Sequence, residues 1–145
     1  VLPITDTRMT RFMITLEQGI ELVCHAFADM VGGEIYIKKI PSMKIVDTAY
    51  ASVPLARHEV VGIRPGEKLH EQMISAEDAL HTYEYAEHFK ILPAIHNWSR
   101  DLKRISEGKL VHPDFSYTSD NNSEWMSVEM LTHWIAQNQE KIGNF

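Results

Sequence analysis

The stretch Val61-Gly62-Ile63-Arg64-Pro65-Gly66-Glu67-Lys68-Leu69-His70-Glu71 sets one arginine and one carboxylate three residues apart, just after a short apolar run. Residues 58–63 read as a strand rich in β-branched side chains. Pro65 suits the first position of a helix, and Glu67 falls in the first turn, where negative charge is favoured. Arg64 is therefore expected at a strand-to-helix junction, where side chains project off the end of a sheet and open α/β proteins keep their ligands. A planar, permanently charged guanidinium suits a phosphate, and a nearby carboxylate can accept hydrogen bonds from sugar hydroxyls. The pair forms a grip suited to a nucleotide sugar. The same string also fits a proline-started helix with an exposed arginine and no ligand.

Working outward, Met13, Leu16, Ile20, Val23, Cys24 and Phe27 recur at three- and four-residue steps, which predicts an amphipathic helix over residues 10–30, ended by Val31-Gly32-Gly33. Thr10 is a candidate cap for it. Residues 34–40 alternate β-branched with polar or aromatic side chains and predict a strand, with Ile35 and Ile37 set against Tyr36 and Lys38. Pro41-Ser42 opens a second helix over residues 43–52, its buried stripe Ile45, Val46, Ala49 and Val53. Ser75-Ala76-Glu77-Asp78 reads as a helix cap or turn. Residues 82–85 and 89–92 read as short strands, and 93–114 as a long loop or weak helix anchored by Trp98. After the polar cluster 119–123, residues 127–138 form a last helix with Val128, Leu131, Trp134 and Ile135 on one face. Helices alternating with short strands predict a mixed α/β layer structure.

The chain has 145 residues, 44% hydrophobic and 23% charged, one domain's worth of an ordinary globular composition. A formal charge of −6 without clustered Lys and Arg argues against nucleic-acid binding, so an anionic ligand would need locally placed arginines. The single cysteine, Cys24, allows no intrachain disulfide and is expected as a small buried hydrophobe in a reducing compartment. No run approaches 18 apolar residues and no signal-peptide pattern occurs, so a cytoplasmic protein that does not enter the membrane is the expectation. The opening Val1-Leu2-Pro3-Ile4 reads like the end of a strand, and suggests a fragment of a longer chain.

The eight histidines do not predict a metal site. His70-Glu71 begins like a zincin motif, but the fourth residue after His70 is Ile74, so the second ligand is missing. Gly32, Gly33, Gly62 and Gly66 assemble into neither a dinucleotide nor a P-loop fingerprint, no Tyr has a Lys four residues later, and no Gly-x-Ser-x-Gly elbow occurs. No catalytic centre is expected within these residues.

Several strings taken together resemble a known group. Leu2-Pro3-Ile4-Thr5-Asp6 with Met9-Thr10-Arg11-Phe12, then Gly33-Glu34-Ile35 leading to Lys39-Ile40-Pro41-Ser42-Met43, then Gly62 through Glu71, resemble the C-terminal half of extended short-chain dehydrogenase/reductase enzymes. Within these, the resemblance is to the inverting UDP-N-acetylglucosamine 4,6-dehydratases of the pseudaminic-acid pathway, in the larger polysaccharide-biosynthesis family. Thr82-Tyr83-Glu84 and the tail from Tyr117-Thr118-Ser119-Asp120-Asn121-Asn122 to Trp125-Met126-Ser127-Val128-Glu129 fit the same group, so nearly the whole chain is covered.

The resemblance implies an α/β substrate-binding portion of mixed helices and short strands over residues 1–145, with the Rossmann half absent. It implies that Arg64 contacts the UDP diphosphate and Glu67 the uridine ribose, with Arg11 at the same cleft; a surface arginine remains the alternative for Arg11. Asp120 and Asn121 would either close over that site or form a polar turn before the last helix. The implied reaction uses NADP, held by the N-terminal half together with the Tyr and Lys dyad. On that reading the full-length enzyme is a lyase and these residues alone are inactive. The implied partners are UDP-N-acetylglucosamine or a similar UDP-sugar and further copies of the chain. A related UDP-sugar 4-epimerase, or an inert UDP-sugar-binding or oligomerisation module, remains the alternative.

Overall fold

The computed structural model describes residues 1–95 and 102–139. In chain order the elements are β1 (Leu2–Ile4), β2 (Thr10–Phe12), α1 (Leu16–Asp29), β3 (Ile35–Lys38), β4 (Ser42–Lys44), α2 (Ile45–Ser52), β5 (His58–Val60), β6 (Gln72–Ile74), α3 (Ala76–Ala79), β7 (Thr82–Glu84), β8 (His88–Ile91), α4 (Leu102–Ile105), β9 (Lys109–Leu110), β10 (Tyr117–Thr118) and α5 (Val128–Gln137). The class is mixed α/β with short strands and helices, as the alternating patterns imply. Two compact units divide the chain, and each is assembled from separated stretches. The first comprises Val1–Met13, Pro41–Glu71 and the residues from Ser119 onward; the second comprises Ile14–Ile40 and Gln72–Thr118.

In the first unit β1 runs parallel to β5, with Leu2 opposite His58 and Ile4 opposite Val60. β2 pairs antiparallel with β4, setting Thr10 opposite Lys44 and Phe12 opposite Ser42. Helix α2 packs on α5 around Ala51, Met126 and Leu131, with Met43, Trp134 and Ile135 at the margin. Ser127 caps α5 by accepting the Met130 N–H, so the expected apolar face of this helix turns inward. Leu131 is 2% exposed, and its burial stabilises the unit by about 1.5–3 kcal/mol.

In the second unit β3, β8, β7 and β9 form an antiparallel sheet in that order, and β6 pairs with β10. The residues after α1 are fastened by two cations. Lys90, 2% exposed, pairs with Asp29 and donates to the Arg104 carbonyl at 2.9 Å, its ammonium lying 5.3 Å and 5.0 Å from the Tyr36 and Tyr85 ring centres. Arg104 pairs with Glu34 and donates to the Gly32 carbonyl at 3.0 Å. Burial pushes the Asp29 carboxyl up, but hydrogen bonds from Lys90 and Tyr36 hold it on balance below its ordinary value. A buried ammonium with a carboxylate, a carbonyl and two aromatic faces is well compensated for its lost water.

The structure corrects several expectations. The helix expected over residues 10–30 is the strand β2 followed by α1, because Thr10, Arg11 and Phe12 find backbone partners on β4. Thr10 therefore caps nothing. Thr15 caps α1, with Gln18 completing a reciprocal capping box, a signature that stands in the sequence as Thr-x-x-Gln. The apolar stripe of α1 is not buried: Leu16 is 78% and Phe27 75% exposed, and Cys24 is exposed as well. Within β3, Ile37 is buried but Ile35 is exposed. Pro41-Ser42 opens no helix, since Ser42 begins β4 and α2 starts only at Ile45. Val53, placed in the α2 stripe, is 40% exposed. The strand expected over 58–63 ends at Val60, and no helix starts at Pro65. The 93–114 segment contains α4 and β9, while Trp98 lies outside the described residues. Ser75 and Asp78 form a capping box on α3 as expected, and β7 and β8 lie where the two short strands were placed.

Candidate functional site

The segment 61–71 belongs wholly to the first unit. The Val61 N–H continues the β1–β5 pairing by donating to the Ile4 carbonyl at 2.9 Å. The chain then leaves the sheet at Gly62, whose φ is +88°. At Arg64-Pro65-Gly66-Glu67 it turns sharply: the Glu67 N–H donates to the Arg64 carbonyl at 3.1 Å, and Gly66 has φ +83°. Proline second and a positive-φ glycine third are the requirements of a type II turn. So Arg64 and Glu67 stand across a turn rather than one helical turn apart. The Glu67 carboxylate Oε2 also accepts the Arg64 N–H at 3.2 Å.

The far end of the segment is held by three side chains, those of Arg11, Thr10 and Ser119. Arg11, on β2, donates through Nη1 to the carbonyls of Thr10 (2.7 Å) and Leu69 (3.2 Å), and through Nη2 to the Lys68 carbonyl (3.0 Å). Its Nε lies 3.4 Å from Glu71 Oε1. The Thr10 N–H donates to the Leu69 carbonyl, extending the grip of β2 on the segment. Buried Thr10 Oγ1 is hydrogen-bonded to His70 Nδ1 (2.7 Å) and to Ser119 Oγ (2.6 Å). Ser119, fully buried, accepts the Glu71 N–H at 2.9 Å and donates its own N–H to the Glu71 carbonyl at 2.8 Å.

Charge is mixed around this segment. Arg64 is exposed, Glu67 half-buried, and the guanidinium of Arg64 makes no ion pair among the described residues. His70 Nε2 lies 3.9 Å from Asp120 Oδ2. Asp6 is hydrogen-bonded by the Arg8 side chain and backbone, which, with a smaller effect of His70, holds its carboxyl down at about 2. The arrangement offers a free guanidinium and a carboxylate with lone pairs left over, on a turn whose two ends are pinned. Such a turn can present hydrogen-bonding groups to a polar anionic ligand at small ordering cost.

Of the expected site residues, Arg64 and Glu67 are brought together, and Arg11 reaches the same segment from beneath, its donors engaged by backbone carbonyls. Asp120 occupies a turn facing His70. Thr10, His70 and Ser119 were not singled out from the sequence for this position. His70 stood inside the decisive string, but residues 10, 70 and 119 meet through contacts that no local pattern encodes. A hollow of about 330 Å3 in the same unit is lined by Leu2, Ile4, Ile45, Ala49, Val53 and neighbours and does not include Arg64. Among the described residues no three His, Cys, Asp or Glu side chains gather to hold a metal ion. No helix among them is long and apolar enough to cross a membrane.

Residues 1–93 match the pattern of a family described as polysaccharide biosynthesis protein. The UDP-N-acetylglucosamine 4,6-dehydratase (inverting) of Campylobacter jejuni subsp. jejuni serotype O:2 is 50% identical across 92% of this chain and 42% of its own length. The protein of the same name from serotype O:23/36 is 49% identical across 90% of this chain and 40% of its own. The X-ray structure of Pen from Bacillus thuringiensis superposes with a TM-score of 0.77 at 27% identity, over 95% of this chain and 40% of that one. The chain thus spans about two fifths of the length of the curated relatives it matches.

Proposed function

Because this chain belongs to the polysaccharide biosynthesis protein family, we propose that it forms the nucleotide-sugar-binding portion of a UDP-N-acetylglucosamine 4,6-dehydratase. Arg64 pairs with the diphosphate and Glu67 accepts hydrogen bonds from the uridine ribose. Arg11 holds the 68–71 backbone so that both are presented from a fixed turn, and its own charge lies beneath the same segment. The observation that carries this reading is the turn at 64–67, pinned to β1 at one end and to Arg11, Thr10 and Ser119 at the other. Charge-assisted contacts to a phosphate favour a bidentate guanidinium.

The reaction, a lyase step in the biosynthesis of a surface polysaccharide or glycan, takes place in the cytoplasm, in an assembly of several copies. NADP supplies its redox chemistry. Among the described residues the glycines do not fit that cofactor: Gly19 lies inside α1, Gly32 and Gly33 precede a strand, Gly62 and Gly66 sit in the pinned segment, and Gly108 precedes β9. None joins a strand end to a helix N-terminus, as pyrophosphate binding by a dinucleotide fold requires. The described residues therefore offer no cradle for NADP.

Calorimetry with UDP and with UDP-N-acetylglucosamine tests the reading. Because Arg64 is exposed, Arg64→Ala should weaken both by about 1–2 kcal/mol, roughly five- to thirtyfold. Unchanged affinity would remove Arg64 from the site.

A further inference from the structure

The second unit holds a cavity of about 500 Å3 that the nucleotide-sugar reading does not use. Its walls come from α1 and β3 (Glu21, His25 and Lys38), from the β7–β8 turn (Tyr85, Glu87, His88) and from Glu107. The aromatic side is built in advance. Tyr85 stacks flat on His88, with centroids 4.6 Å apart and planes at 4°, and His25 meets His88 edge-on at 4.6 Å. The Tyr85 hydroxyl donates to the Ile105 carbonyl at 2.7 Å, and Gly108 lies so near the ring that a Cβ there would come within 2.5 Å of it.

The charges point to one class of ligand. Three carboxylates face one ammonium, and Lys38 lies 4.0 Å from Glu21, which leaves Glu87 and Glu107 without an ion pair among the described residues. Burial and the neighbouring His25 push His88 down to about 4, so its ring is neutral near pH 7 and offers a π face rather than a positive charge. The carboxylates do not converge on a point, and no metal-holding group forms among the described residues. Aromatic faces ringed by separated carboxylates recognise an extended organic cation.

We propose that this cavity binds an organic cation, an alkylammonium or guanidinium group, between the His25, Tyr85 and His88 rings and the carboxylates of Glu87 and Glu107. Both glutamates are exposed, so each adds little and the affinity is modest, with a dissociation constant on the order of millimolar.

The test is a titration of the 145-residue chain, followed through the ring-proton NMR signals of His25 and His88. Agmatine and n-butylamine should shift these signals saturably, and butyrate should not. Glu87→Gln with Glu107→Gln should weaken agmatine about two- to tenfold, and exposed side chains allow that replacement without unfolding. Gly108→Ala, which drives a methyl group into Tyr85, should weaken it as well; where that variant does not fold, the double glutamine variant carries the test. An acetyl-Gly-Arg-Gly-amide peptide separates the sources: binding at least as tight as agmatine assigns the cation to a polypeptide side chain, and its exclusion beside agmatine binding assigns it to a free amine. Butyrate binding as well as butylamine, no saturable shift with either cation, or an unchanged double variant would each overturn the proposal.

Discussion

Glu67 closes the 64–67 turn with the same carboxylate that the proposed site needs for a ribose. Oε2 accepts the Arg64 N–H, and a carboxylate keeps further lone pairs for a ligand. Glu67→Ala should therefore cost UDP more affinity than it costs bare pyrophosphate, by roughly tenfold between the two, measured by competition calorimetry. Equal losses would reduce Glu67 to a turn-former. His88 gives a prediction of another kind. Its folded pKa, lowered from 6.5 to about 4 chiefly by burial, lies below the unfolded value, so the unfolded chain binds more protons between those limits. Stability present above pH 6.5 is then lost as pH falls toward 4. Since His88 is only half-buried, the loss is about 1–2 kcal/mol. Urea midpoints at pH 7 and pH 4.5 should differ less in His88→Gln than in the parent, and parallel pH profiles would contradict this.

The short elements here owe their form to partners elsewhere in the chain. β2 is three residues long, too short to exist without β4, and it supplies both Thr10 and Arg11 to the 68–71 backbone. The Arg64–Glu67 turn depends on one backbone conformation. Gly66 has φ +83° with nothing within 4 Å of a built Cβ, so alanine there meets strain without a clash. Gly66→Ala should destabilise the first unit by about 1–2 kcal/mol and weaken UDP binding with no change in the cation titration of the second unit. A variant that binds UDP like the parent would show that the turn is not what presents Arg64. At α1 the start of the helix is set locally, by the Thr15–Gln18 box, whereas the exposure of its apolar stripe is a matter of what lies against it.

At the scale of the molecule, the two units are interleaved along the chain, with changes of unit after Met13, Ile40, Glu71 and Thr118. Neither can be isolated by one cut. Separating the chain between Glu71 and Gln72 removes the last stretch of the first unit from its other two, and divides the second. It also removes Ser119 and α5 from the strands and helix they pack on. Each fragment should lack a cooperative thermal transition in far-UV circular dichroism, and mixing should restore one. A fragment that melts cooperatively alone would show an autonomous subset of these contacts.

Local chemistry made much of this protein legible. The capping residue Ser75, the strands at 82–85 and 89–92 and the final amphipathic helix follow from propensity and from spacings of three or four residues, which act within a few residues of themselves; Arg64 and Glu67 come together too, but across a turn rather than a helical turn. The string 61–71 together with residues 9–12 and 39–43 also gave the family. What the sequence could not decide was long-range. Whether Thr10 caps a helix or joins β2, and which apolar stripe is covered, depend on partners supplied from distant segments, whereas Pro65-Gly66 fits a helix start and a type II turn equally well at the local level. The union of Thr10, His70 and Ser119 spans 109 residues. Periodicity records which faces are apolar, but only tertiary packing determines which of them meet, because hydrogen-bond partners and burial are properties of neighbours in space.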